Sequence, residues 1–91
     1  MKTLAEFKRK IKEGVKLETY NHYLNTSFGT RKVSIVQSNS FALETIKEGK
    51  KVNSWCEYPR AKDIEFIDEN TACIFWELRG QRAKVLTYKF V

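Results

Sequence analysis

The stretch Arg31-Lys32-Val33-Ser34-Ile35-Val36-Gln37-Ser38-Asn39-Ser40-Phe41-Ala42-Leu43-Glu44 decides the fold class. Val33 and Ile35 alternate with Lys32 and Ser34, and side chains two apart share one face of an extended chain. Ser38-Asn39 is a polar break, after which Phe41 and Leu43 alternate with Ala42 and Glu44. Two runs of period two around a short break predict a β-hairpin.

Outward from this hairpin, the same period governs almost everything after Gly14. Val15 to Leu24 holds β-formers (Val15, Thr19, Tyr20, Tyr23) in an in-out pattern, and Asn25 to Thr30 supplies turn residues. On the other side, Lys47-Glu48-Gly49-Lys50-Lys51 is a charged loop. Val52 to Tyr58 reads as a strand ended by Pro59, which has no N–H for a ladder. Arg60-Ala61-Lys62 is expected as one tight helical turn. Ile64 to Ile67, Thr71 to Arg79 and Arg82 to Phe90 are further strands, separated by turns at Asp68-Glu69-Asn70 and Gly80-Gln81. In the last strand Lys84, Leu86, Tyr88 and Phe90 fall on one face.

Only the N-terminal segment has helical spacing. Thr3 precedes Glu6 by the three residues of a capping box, and Leu4, Phe7 and Ile11 line one narrow face. Gly14 is the expected stop, giving a helix of about eleven residues that is too short to stand alone. The predicted class is therefore α+β, with an N-terminal helix packed on a curled antiparallel sheet of six to seven short strands. Its expected form is a small, partly open barrel with the helix closing one end.

The order helix, Gly14, strand, then Val33 to Ser40, then Ser54-Trp55-Cys56-Glu57-Tyr58-Pro59-Arg60-Ala61, resembles small proteins carried by bacterial phages and mobile elements. The resemblance runs from Phe7 to about Phe75. It implies a bacterial cytosolic setting and a phage or plasmid origin, and it assigns no activity and no site residue.

Length and composition agree with one domain, 1–91, of ordinary globular balance: 42% hydrophobic and 31% charged over 91 residues. No apolar run is long enough to span a membrane. Glu6, Lys8, Arg9 and Lys10 occupy the place where a signal peptide needs an apolar core, so a cytoplasmic protein is expected. Most of the twelve aromatics are expected in the core, because so short a chain has little else to bury. Cys56 and Cys73 are expected as reduced, semi-buried thiols. Asn25-Thr26-Ser27 matches the glycosylation pattern but reads as a polar turn in a cytosolic protein.

The net charge of +6 is unevenly spread. Residues 1–51 carry all of it, residues 52–78 balance at −4, and residues 79–91 at +4. A contiguous basic surface would supply phosphate affinity. The candidate cations are Lys8, Arg9 and Lys12 of the helix, Arg31 and Lys32, the loop residues Lys47, Lys50 and Lys51, and Arg79, Arg82 and Lys84. Tyr20, Tyr23, Phe28 and Trp55 are candidate platforms for unpaired bases. Lys8 and Lys12 form a like-charged i,i+4 pair, mildly unfavourable in a free helix. Arg60 and Lys62, beside the turn after Tyr58-Pro59, form a second candidate anion seat, against a reading in which Pro59 only ends a strand.

Chemistry beyond binding finds little support. His22 is the only side chain that titrates near neutrality when unperturbed, and nothing nearby completes a catalytic set. Asp63/Glu65 and Asp68/Glu69 read as surface pairs. There is no phosphate loop, dinucleotide fingerprint or metal-ligand spacing. The expected function is a non-enzymatic binding domain without cofactor or metal, contacting nucleic acid through a basic face. The alternative is a protein-interaction module, with an acidic protein partner or a host protein that it modulates. The apolar excess at Ile74, Phe75, Trp76 and Leu78 motivates that alternative. A monomer, or a homodimer through the last strand as a free edge, fits either.

Overall fold

The structure is a computed structural model describing residues 1–91. Helix α1 spans Leu4–Lys10, and seven strands follow: β1 Lys16–Asn21, β2 Thr26–Val36, β3 Ser40–Lys47, β4 Lys50–Glu57, β5 Ile64–Asp68, β6 Thr71–Leu78 and β7 Gln81–Phe90. A single 3₁₀ turn, Ala61–Asp63, separates β4 from β5. All strand pairs are antiparallel in one sheet of order β4-β3-β2-β1-β7-β6-β5. β4 and β5 are its two edges, so the sheet is not closed. The last strand, a candidate free edge by sequence, is instead paired on both sides, by β1 and β6.

The helix is shorter than its spacing predicts. Thr3 Oγ1 accepts from the Glu6 N–H at 3.2 Å, as the capping box requires. Ile11 then leaves the helix and is buried, its N–H still bonded to the carbonyls of Phe7 and Lys8. Gly14, at φ +89°, donates to the Val33 carbonyl and so fastens the turn to β2. That docking stops the helix before its eleventh residue.

Of the region 25–30, expected as a turn, residues 26–30 are strand. The turn is confined to His22–Asn25, where Asn25 takes φ 52° and Asn21 Oδ1 accepts the Leu24 N–H at 2.8 Å. Thr26 to Lys32 then pairs with β1, and the register shift between Thr19 and Tyr20 faces Gly29 at φ +69°. Glycine takes that backbone at no steric cost, so a residue type that reads as turn sits in a strand at a bulge. The hairpin predicted from 31–44 is present, with Val33 opposite Leu43 and Val36 opposite Phe41. A shift between Val33 and Ile35 leaves Ile35 only half-buried. The charged loop at 47–51 contracts to a two-residue turn, Glu48-Gly49, with both φ positive, the geometry that matches strand twist.

Curling of the sheet makes the core. Phe41 of β3 and Tyr88 of β7 are three strands apart in the sheet order, yet their rings lie 5.9 Å apart. Phe7 of α1 inserts beside them, 6.0 Å from Tyr88, 5.8 Å from Phe90 and 6.2 Å from Tyr58. Leu17, Val33, Leu43, Ile64, Ala72, Ile74 and Val85 complete the cluster. Only Phe7, Phe41 and Tyr88 of the aromatics are buried, whereas Tyr23, Phe28, Trp55 and Trp76 are exposed. They lie on hairpin arms and cleft edges, which extend past the core.

Candidate functional site

β2 changes partner along its length, and this opens the sheet. Residues 26–32 pair only with β1; Val33 still bonds Gly14 and Val15, just ahead of β1, and from Val33 to Val36 the ladder passes to β3. The outer half of β3, from Glu44 to Lys47, therefore pairs with β4 alone. A wedge opens between the two hairpins, lined by Lys16, Phe28, Thr30, Arg31, Lys32, Glu44, Thr45 and Ile46, with a volume of about 620 Å³.

The wedge is cationic by construction. Lys16 and Lys32 are directly opposed across β1 and β2, a like-charge pairing that costs stability in a bare sheet. Arg31 spans the opening, its Nη1 donating to Thr45 Oγ1 at 2.9 Å. Its guanidinium lies 5.4 Å from the Phe28 ring centre, and its buried Nε–H has no acceptor. The protein's only side-chain ion pairs are Arg60–Asp63 and Arg82–Glu65. Lys16 and Lys32 are thus exposed and Arg31 half-buried, all three without a carboxylate partner and Arg31 beside a half-exposed aromatic ring.

The sequence candidates separate into two groups. The turns after β1, β3 and β6 all lie at the sheet end remote from α1, because each of those strands leads away from the helix. Lys47, Lys50, Lys51 and Arg79 are therefore at that end, together with Tyr23, which is 71% exposed. Lys8, Arg9 and Lys12 are at the helix end, where Lys8 Nζ sits 5.0 Å from the Tyr58 ring. The two groups do not form one face.

Several candidates already have protein contacts. Arg82 pairs with Glu65, reaches the Lys62 carbonyl and lies 3.8 Å over the Phe75 ring. Tyr20 donates to Asn25 Oδ1 and lies 4.7 Å from the His22 ring, so it braces the β1–β2 turn. Trp55 stands on β4, away from the wedge, and lines a second cleft with Trp76. Lys84 lies across from Phe75 in the β6–β7 pair. Sequence reading missed Lys16 and took Trp76 only as part of the apolar excess at 74–78. Lys16 becomes informative only through its register with Lys32, and Trp76 only through its position opposite β4.

The titratable groups inside the fold lie in two small clusters, His22 with Cys73 and Cys56 with Tyr88. His22 Nε2 lies 2.7 Å from Thr87 Oγ1, which lies 3.6 Å from the Cys73 sulfur. Burial, and secondarily Lys84, hold the imidazole below its ordinary value, favouring the neutral ring. Burial pushes the Cys56 thiol up, and burial beside Cys56 pushes the Tyr88 phenol well up. Both cysteines are free thiols. No grouping of three His, Cys, Asp or Glu side chains has the spacing to hold a metal ion, and no helix is long and apolar enough to cross a membrane.

No model of a known protein family, no curated protein and no solved structure matches this chain.

Proposed function

We propose that the chain is a nucleic-acid-binding domain whose curled sheet works as a partly open barrel, with a contact surface that runs from the wedge at the start of β1 along the β3–β4 arm to its tip, the end remote from the helix. The β3–β4 arm, tipped by Lys47, Lys50 and Lys51, and the wedge holding Lys16, Arg31 and Lys32 form that surface. The observation that carries the reading is the opposed pair Lys16 and Lys32 beside Arg31 and Phe28, with none of the three cations ion-paired. Polyanion binding relieves such a like-charge pairing and releases counterions. Phe28 and Tyr23 supply exposed rings at the same end for stacking on unpaired bases. A bacterial cytosolic setting, as the phage-protein resemblance implies, suits either DNA or RNA as the ligand.

The test is a titration of labelled single- and double-stranded oligonucleotides, by anisotropy, at several salt concentrations. Binding tighter than about 100 μM at low salt is expected, weakening linearly on a log–log salt plot. Absence of binding at that level removes the proposal. Competition by polyglutamate as effective as that of an oligonucleotide of equal charge favours the acidic protein partner instead.

A further inference from the structure

The two edges of the sheet are built differently. β5 is five residues long, and a register shift between Phe66 and Asp68 interrupts its ladder with β6. Brevity and bulges keep edge strands from pairing further. β4 has neither device. Its eight residues pair with β3 from Lys50 to Glu57 without a shift, and they include no proline. The register, with the Tyr58 N–H bonded to the Asn39 carbonyl, shows which backbone groups are used: those of Lys50, Val52, Ser54 and Cys56 face β3. Bonded and non-bonded pairs alternate in an antiparallel ladder. The N–H and C=O groups of Lys51, Asn53, Trp55 and Glu57 therefore point to the open edge. At Trp55 to Glu57 that edge looks onto a cleft of about 600 Å³ and not onto another strand. Beyond Glu44 the β3–β4 arm has no other strand beside it, and a two-stranded ribbon alone is marginally stable. The arm nonetheless leaves Ile46, Val52 and Trp55 exposed.

We propose that a second copy of this chain pairs with β4 along this edge, antiparallel, about a twofold axis at Ser54. The inference goes beyond the nucleic-acid reading and stands without it. Charge selects both the occupant and the register. β4 carries Lys50 and Lys51 at one end and Glu57 at the other, and neither Lys51 nor Glu57 has an ion-pair partner within the chain. Twofold pairing about Ser54 sets Lys51 opposite the partner's Glu57, and Glu57 opposite the partner's Lys51. Opposite charges so placed attract across a ladder. The same register sets Asn53 opposite the partner's Trp55, and the edge groups then exchange about eight backbone hydrogen bonds. Edge-facing residues must meet edge-facing residues, so the axis falls on a residue and never between two. Placed at Asn53 it opposes Lys51 to Trp55, and placed at Trp55 it opposes Asn53 to Glu57. At Lys51 or Glu57 it opposes like charges. No other symmetric register sets lysine against glutamate. A uniformly acidic peptide is attracted at one end of β4 and repelled by Glu57 at the other, whereas a second copy matches both ends. Lys47 and Lys50 stay outside the charge pairs.

The experiment is sedimentation velocity on the full chain at low salt, without nucleic acid, from about 5 to 500 μM. Reversible monomer–dimer exchange within that range is expected, weakening as salt screens the exposed charge pairs. Glu57→Lys and Lys51→Glu each oppose like charges at both ends of the pairing and should weaken dimerisation about five- to thirtyfold. An equimolar mixture of the two variants restores opposite charges and should dimerise as the wild type does. Asn53→Pro removes an N–H from the open edge and none from the ladder with β3, so the folded variant should be monomeric. Unfolding midpoints check folding, and the charge variants carry the test should N53P not fold. A strict monomer at the highest concentration overturns the inference. Undiminished dimerisation in E57K and K51E, or in folded N53P, also overturns it, because the contact then lies elsewhere. Weakening in both charge variants without recovery in their mixture overturns it too, since the loss does not come from this pairing. Every outcome is read without an oligonucleotide, so the basic surface stands or falls separately.

Discussion

Arg31 donates to Thr45 Oγ1 at 2.9 Å across the place where β2 and β3, neighbours in the sheet, have stopped pairing. This single bond joins the β1–β2 hairpin to the β3–β4 arm beyond Val33, and it does so with a half-buried cation. The wedge is thus held at a set width by a residue that also faces its opening.

Thr45→Val removes the acceptor and keeps the side-chain volume. It is expected to cost about 1 kcal/mol, the lower end for a stranded donor, because Arg31 is partly reached by water. Urea denaturation measures this, and a midpoint equal to wild type would show that the bridge contributes no stability.

The helix is held by one side chain above all. Phe7 is fully buried and touches Tyr58, Tyr88 and Phe90. Phe7→Ala should cost about 3–5 kcal/mol, the range for a buried aromatic emptied to a cavity. That loss is a large share of the stability of so small a domain, and the thermal midpoint and helical circular dichroism should fall together.

Alkaline pH should destabilise the fold. Cys56 and Tyr88 have folded pKa values above their ordinary 9.0 and 10.0, so the unfolded chain releases these protons first. Their contribution is complete below about pH 9 and is lost progressively as pH rises through the folded values. Cys56→Ala should delay the onset of the decline, as measured by denaturation midpoints between pH 7 and 11. A parallel decline in both proteins would assign it elsewhere.

The imidazole of His22 should titrate below 6.5, chiefly from burial and secondarily from Lys84. Lys84→Gln removes the repulsion and should move the midpoint upward without restoring it fully. Nuclear magnetic resonance of the ring protons reads this directly. The linked stability is present above pH 6.5 and lost as pH falls, since the unfolded ring takes up the proton first.

The two groups of cations can be told apart by salt. Lys47→Gln with Lys50→Gln should lower the log–log salt slope for a single strand by about 0.7 for each phosphate that the arm no longer neutralises. Lys8→Gln with Lys12→Gln should leave it unchanged, because those residues sit at the opposite end. The reverse result would move the binding surface to the helix.

Much of the fold was legible in the residues because it depends on near neighbours. Period-two runs, the Thr3–Glu6 cap and the 3₁₀ turn at Ala61–Asp63 follow from side-chain alternation and local backbone chemistry, whereas the turn expected at Gly80-Gln81 lies one residue earlier, at Arg79-Gly80, and the loop expected over 47–51 is the tight turn Glu48-Gly49. Gly29 misled for the same reason, because a bulge and a turn ask the same thing of a glycine. The charge total and its bias toward residues 1–51 were likewise in the sequence alone. Only the tertiary structure decided that Lys16 faces Lys32, that Trp55 and Trp76 share a cleft, and that the helix lysines and the arm lysines lie at opposite ends. Those relations depend on register and curl, which are set by packing between residues distant in the chain, such as Phe41 against Tyr88. Local spacing carries no information about that packing, and the site was readable only after the sheet had bent around it.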